Sequence, residues 1–149
     1  MKSIDQLIVA LSLILSTASS ANARNIKLIL PIADATEVTN VQDRPSGSVK
    51  FFFGDQATPK ITAKRGSYVA TPRTGAMAKS DEAACAEALL WTLVALEKRA
   101  QQVGANAVIK IVSYYQKVEM SSTTQFECHV GNVIVRVVLN GELVTIVGE

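Results

Sequence analysis

The fold is decided by the stretch KSDEAACAEALLWTLVALEKRAQQVGANAVIKIVSYYQKV, which runs from Lys79 to Val118. Ser80 precedes two acidic residues and a run of apolar side chains at helical spacing, so we predict that it caps the N-terminus of a helix. Gly104 suits the left-handed position just beyond a helix end. Ala105–Lys117 is apolar on both faces, which indicates a strand at the centre of a sheet.

The predicted helix has a broad apolar stripe that is expected to face the core. Its apolar side chains recur at the three- and four-residue intervals that place them on one side of a helix. They are Ala84, Ala88, Leu89, Trp91, Leu93, Ala95 and Leu96. Trp91 is therefore interpreted as a core side chain.

The N-terminal segment Met1–Ala23 has the features of a secretory signal peptide. Lys2 supplies a positive charge, Leu7–Leu15 is a short apolar run, and Ala21-Asn22-Ala23 offers the small residues that signal peptidase requires. The apolar run is shorter than the about 20 residues that cross a bilayer. We expect cleavage after Ala23, a single domain at residues 24–149, a location in the periplasm or outside the cell, and no stable membrane insertion after cleavage. The alternatives are a membrane anchor or a buried strand.

Strands are predicted for much of the remaining chain. Ile26–Ala33 is predicted as an edge strand, because Pro31 removes one hydrogen-bond donor, and Val49–Phe53 as a second strand. Asp34–Ser48 between them is predicted as a loop. Gln56–Ala78 is broken by proline and glycine at intervals, and is predicted as short extended pieces or a mobile loop.

The C-terminal part favours a meander of antiparallel strands. Gln125–Leu139 has the pattern of one long strand, in which Gly131 marks a bulge or a close backbone approach. Asn140-Gly141 before Leu143–Ile146 is a strong hairpin signal. We predict an α+β fold of two layers, with one main helix packed on a small, mostly antiparallel sheet. The apolar residues left on the other face of that sheet favour a homo-oligomer.

The chain contains two cysteines, Cys85 in the predicted helix and Cys128 in the predicted long strand. In an exported protein two cysteines favour one disulfide, and only one pairing within the chain is available. The alternative is two buried free thiols.

Residues that would support catalysis or metal binding are sparse. The one histidine, His129, follows Cys128, and neighbours on a strand point to opposite faces, which argues against a Cys–His dyad. A metal site would need Cys85, Cys128, His129 and a carboxylate such as Glu127, without the closely spaced ligand pairs of structural zinc sites. We therefore predict no enzyme, no metal site and no cofactor.

The charge pattern argues against a nucleic-acid-binding protein. The formal net charge is +2, and the basic residues are dispersed along the chain. One loose basic group is interpreted as a solvated loop, with contact to an anionic surface as the alternative. It consists of Lys60, Lys64, Arg65 and Arg73.

Five motifs carry a family resemblance. They are AQQVGANAV at Ala100–Val108, IVSYY at Ile111–Tyr115, FECHVG at Phe126–Gly131, KSDEAAC at Lys79–Cys85 and FFFGDQATP at Phe51–Pro59. These motifs resemble a family of small exported bacterial proteins of unknown function, often labelled as an excinuclease ATPase subunit. The ATPase label does not fit this chain, which has no phosphate-binding loop and no zinc-finger cysteines.

The helix, the motif GANAV at Gly104–Val108 and the strand after it are also similar to YbjQ-like domains. They further resemble the periplasmic domain of the Rcs stress-sensor lipoprotein. The resemblance implies a helix on a small sheet, a capacity to form rings, and a disulfide-stabilised domain. The chain lacks the lipid anchor and the additional cysteines of the sensor.

The expected function is that of an exported, non-catalytic binding or interaction protein of the bacterial envelope, with a stress-related role among the expectations. Its expected partners are an envelope protein or further copies of itself. The alternative is a periplasmic protein that binds a metal or another small ligand.

Overall fold

The computed structural model describes residues 23–38, 41, 43–76 and 79–148. The predicted signal peptide therefore lies outside the described residues, except for Ala23. The strands are β1 Ile26–Pro31, β2 Lys50–Phe53, β3 Ile61–Ala70, β4 Arg73–Gly75, β5 Ala107–Ser113, β6 Gln125–Val130, β7 Ile134–Arg136 and β8 Leu139–Ile146. The helices are α1 Ile32–Thr36 and α2 Asp81–Gln102. No helix in these described ranges is long and apolar enough to cross a membrane.

Helix α2 begins and ends where the sequence predicts. The Ser80 hydroxyl accepts a hydrogen bond from the backbone N–H of Ala83 at 3.2 Å, as expected of an N-cap. Gly104 has a φ of 72° just beyond the last turn, a conformation in which glycine has no Cβ penalty. One prediction for this helix is wrong, because Trp91 is 36% exposed and does not belong to the core.

The strands form two sheets of four, and the prediction of one small sheet is wrong. Sheet A has the order β1-β6-β7-β4, and all its neighbouring strands are antiparallel. Sheet B has the order β2-β5-β8-β3, in which β2 runs parallel to β5. The mixed class with one main helix is confirmed. So are the edge position of β1 and the inner position of β5.

Both sheets pack against α2 and share one core with it. The helix contributes Leu89 and Leu96, which are fully buried. The strands contribute Val108, Ile111, Phe126, Val130, Val135 and Leu143, each at most 1% exposed. The helix is therefore the element to which both sheets are fixed.

A second apolar cluster lies on the opposite face of sheet B. Ala107, Ile109, Val144 and Ile146 are 0–4% exposed, and Phe52 and Ile61 pack against them. The sequence predicts an uncovered apolar face on the last strands. That prediction is wrong for these side chains, because they are buried.

Two glycines explain why the C-terminal strands differ from the prediction. The predicted strand Gln125–Leu139 is a hairpin of β6 and β7, closed by the Gly131 N–H, which donates to the Ile134 carbonyl oxygen at 2.9 Å. A Cβ at Gly131 would lie 3.0 Å from that oxygen, so the predicted close approach is confirmed. Asn140-Gly141 does not form a hairpin turn. It lies inside β8, where a Cβ on Gly141 would overlap the Val108 side chain.

Regular structure also appears where irregular chain is predicted. The segment Gln56–Ala78 contains the ten-residue strand β3 and the short strand β4, while Met77 and Ala78 lie outside the described residues. Strand β3 is an edge strand whose side chains are mostly exposed on both faces, so it lacks an apolar alternation. The predicted loop Asp34–Ser48 begins with most of α1.

Candidate functional site

The surface of sheet A that points away from α2 is the candidate site. Side chains alternate along a strand, and those of Phe126, Cys128 and Val130 are buried in the core. The alternate positions of β6 therefore form, with those of β1, β7 and β4, what we call the outer face of sheet A. Its residues are Lys27, Ile29, Arg73, Gln125, Glu127, His129, Ile134 and Arg136.

Strand register brings four basic residues into one line across this face. Lys27 pairs with His129, His129 pairs with Arg136, and Arg136 pairs with Arg73. We call these four residues the basic row. Because neighbouring strands lie about 4.8 Å apart, the row spans roughly 14 Å.

Like charges at directly opposite positions of neighbouring strands destabilise a sheet, so the Arg73–Arg136 pair opposes folding. Lys27 is partly neutralised by Glu127, whose Oε2 lies 3.7 Å from the lysine Nζ. Within the described ranges, the guanidinium groups of Arg73 and Arg136 have no hydrogen-bond or ion-pair partner. Arg73 is exposed and Arg136 is half-buried. Two cations are therefore available to an external anion.

The middle of the outer face holds a histidine–glutamate pair. The His129 Nε2 donates to Glu127 Oε1 at 2.5 Å, and the two side chains are only 11% and 8% exposed. Tyr115, in a short 3-10 turn after β5, stacks on the imidazole with ring centroids 3.5 Å apart. The Glu127 N–H donates to the Ser113 hydroxyl at 2.9 Å, which ties β6 to the end of β5. Both the imidazole and the carboxylate are thus engaged within the protein.

Cys85 and Cys128 are joined by a disulfide, in agreement with the predicted pairing. Both sulfur-bearing side chains are fully buried, on the opposite side of β6 from His129 and Glu127. The bridge fastens the first turns of α2 to the strand that carries the histidine–glutamate pair. It therefore fixes the position of the outer face relative to the helix.

The disulfide also separates the four residues that a metal site would require. The two cysteines face the core as a disulfide, whereas His129 and Glu127 lie on the outer face. The other ring nitrogen of His129, Nδ1, lies 3.4 Å from the side-chain oxygen of Asn25. Across the part of the chain that the structure describes, there is no cluster of three or more histidine, cysteine, aspartate or glutamate side chains suited to a metal ion.

A cleft of about 480 Å³ lies at another place, over β5 and β8 of sheet B. Lys110 lies at an irregularity in the β5–β8 register, with a φ of 50°. Its Nζ lies 3.7 Å from Glu142 Oε1. The polar residues around the cleft are Asp55, Ser67, Lys110, Glu119, Ser121, Asn140 and Glu142. The sequence indicates this site only through Lys110, which interrupts the otherwise apolar strand β5.

The basic row differs from the basic group that the sequence suggests. Lys64 and Arg65 lie on β3 in sheet B, and Lys60 directly precedes that strand. Arg73 lies on β4 in sheet A, beside Arg136. Members of the row come from four strands that are distant in sequence, so only the strand pairing reveals it.

Comparison of the chain with protein-family models, with curated proteins and with solved structures finds no match.

Proposed function

We propose that this chain is an exported, non-catalytic binding protein of the bacterial envelope, and that it binds through the outer face of sheet A. The observation that carries this proposal is the basic row, in which Arg73 and Arg136 lie side by side in register. Two like charges at directly opposite positions lower stability. A binding partner of opposite charge gives such a row a function.

Export is supported by two independent features. The first is Met1–Ala23, with its short apolar run and its Ala21-Asn22-Ala23 end. The second is the Cys85–Cys128 disulfide, since disulfides persist in oxidising, extracytoplasmic compartments and are rare in the cytosol. Both features support the proposed location in the periplasm or outside the cell.

The resemblance to small exported bacterial proteins, to YbjQ-like domains and to the Rcs sensor domain supports the same proposal. The motif GANAV joins the end of α2 to β5, the inner strand of sheet B. In this reading the helix and its disulfide form a scaffold. A stress-related role in the envelope is part of the proposal, and so are an envelope protein or further copies of the chain as partners.

Binding, and not catalysis, is favoured by the state of the ionisable groups on the outer face. His129 and Glu127 are hydrogen-bonded to each other, and Tyr115 stacks on the imidazole. A general base must reach a proton on a substrate. The groups that do extend to solvent, Lys27 and Arg73, are cations suited to holding an anion.

The proposal is tested in cells that export the protein. Intact-mass measurement of the periplasmic fraction, with and without reductant, should find a chain that begins at Arg24 and gains two hydrogens on reduction. A photo-crosslinking amino acid at Ile29, on the outer face, should yield an adduct whose mass identifies an envelope component. The same amino acid at Lys64, on β3, serves as the control. An uncleaved cytosolic chain, or equal adducts from both positions, would refute the proposal.

A second candidate function is the binding of a small ligand in the cleft over β5 and β8. It is favoured by the backbone of Lys110, whose φ of 50° is costly for a residue with a side chain and is typical of functional sites. Asp55, Glu119 and Glu142 also line the cleft and favour an organic cation over a metal ion, for which the described residues form no cluster of three ligands. Calorimetric titration with spermidine, and with zinc, copper and nickel salts, tests it. Absence of heat in every titration would eliminate this candidate.

A further inference from the structure

We infer that the ligand of the outer face of sheet A is the phosphate layer of an anionic lipid bilayer. This inference rests on the proposed function and names its ligand. It is carried by the basic row together with the apolar side chains beside it.

The basic row has the chemistry of a phosphate-binding surface. A guanidinium group presents paired N–H donors that match two oxygens of a phosphate. Arg73 and Arg136 are neighbours across β4 and β7, and neither is engaged by a described carboxylate. Lys27, at the far end of the row, has a side chain that is 58% exposed. The cations are thus spread along a line of roughly 14 Å, which suits several phosphates and not one small anion.

Exposed apolar side chains flank the row on both sides. Ile29 follows Lys27 by two residues on the same face of β1 and is 40% exposed. Ile134 precedes Arg136 by two residues on β7 and is also 40% exposed. Val133, at the tip of the β6–β7 hairpin, is 59% exposed. Proteins that lie on a membrane combine such apolar side chains with basic residues at the level of the headgroups.

The arrangement favours a bilayer over an acidic protein. A protein–protein interface has an apolar centre from which charged residues are depleted, and its polar residues lie at the rim. Here charged and apolar groups lie side by side, because Ile134 is two residues from Arg136 on β7 and Ile29 is two residues from Lys27 on β1. A bilayer accommodates this mixture, since basic and apolar side chains both bind at the level of its headgroups.

The test uses the processed protein recovered from the envelope fraction and measures co-sedimentation with lipid vesicles. Binding is expected to vesicles of phosphatidylglycerol and phosphatidylcholine at low salt, and not to phosphatidylcholine alone. The double variant Arg73→Gln/Arg136→Gln should bind roughly 25-fold more weakly, since each cation near an anionic surface contributes about fivefold. The matched variant Lys64→Gln/Arg65→Gln removes the same charge from β3 and should bind like the unaltered protein.

A further pair of variants separates lipid from other anions. Val133→Asn should weaken vesicle binding, whereas Val147→Asn, at an exposed valine after β8, should not. Excess inorganic phosphate should compete poorly, and polyglutamate should not bind. Thermal unfolding of every variant verifies that it is folded.

The inference is overturned if no vesicle binds, if the two double variants lose binding equally, or if polyglutamate binds and Val133→Asn has no effect on vesicles. The last result assigns the face to an acidic protein. Each of these results leaves the test of export and of the Ile29 crosslink unaffected, so failure of the lipid assignment is distinguishable from failure of the proposed function.

Discussion

At the scale of single residues, Gly141 shows how one sequence signal can have two structural causes. Asn-Gly between apolar segments typically forms a hairpin turn. Here the glycine lies within β8, where Val108 and Ile111 of β5 leave no room for a Cβ. Gly141 is therefore required because β8 and β5 pack closely at this position, and not because the chain turns there.

Gly141→Ala is expected to destabilise the protein by about 1–3 kcal/mol, because the added methyl group overpacks the contact with Val108. Urea unfolding measures the change. Gly75→Ala is the control, since a Cβ at that strand position meets no atom within 4 Å. Equal stability of the two variants would contradict the close approach of β8 to β5.

Glu127 is the acidic residue of the outer face, and its charge opposes the anion binding that we propose. Glu127→Gln removes that charge and keeps the side-chain shape, so vesicle binding is expected to rise by roughly fivefold, the contribution of one charge near an anionic surface. Glu82→Gln, near the start of α2, makes the same change of net charge elsewhere and is expected to have no effect. An equal rise in both variants would mean that only net charge matters.

At the scale of elements, the helix and its ends could be predicted and much of the strand pairing could not. The N-cap at Ser80 and the glycine after α2 are local signals, which depend on residues within a few positions. The β6–β7 hairpin and β3 depend on partners far along the chain, and β3 carries no apolar alternation because it is an exposed edge. The basic row could not be predicted for the same reason, because the register between four strands cannot be derived from the sequence of any single strand.

The N-cap gives a prediction at this scale. Ser80→Ala removes the acceptor of the Ala83 N–H and is expected to cost about 1 kcal/mol of unfolding free energy. Ser80→Asp keeps an acceptor at the same place and should retain most of the stability. Urea titrations of the two variants measure the free energy of unfolding. Equal losses in Ser80→Ala and Ser80→Asp would show that the side-chain hydrogen bond at the N-cap does not stabilise the helix.

At the scale of the whole molecule, the disulfide is the main covalent constraint between α2 and sheet A. Its cysteines are 43 residues apart in sequence, and closing a loop of that size stabilises the folded state by about 4 kcal/mol in the chain-entropy account. We therefore expect Cys85→Ala/Cys128→Ala to lose stability of that order. The thermal midpoint of this double variant should equal the midpoint of the unaltered protein after its disulfide has been reduced. A double variant as stable as the oxidised protein would contradict a structural role for the bridge.

The place of β8 in sheet B has a consequence for the order in which the chain can fold. It lies between β5 and β3, so neither of those strands can join the other until residues 139–146 have been synthesised. Pairings between strands so distant in sequence also form slowly. Sheet B therefore stays incomplete until the end of synthesis, which agrees with the proposed export, because a secretion channel threads unfolded chain. Under the proposed export, sheet B and the disulfide would both be completed after translocation.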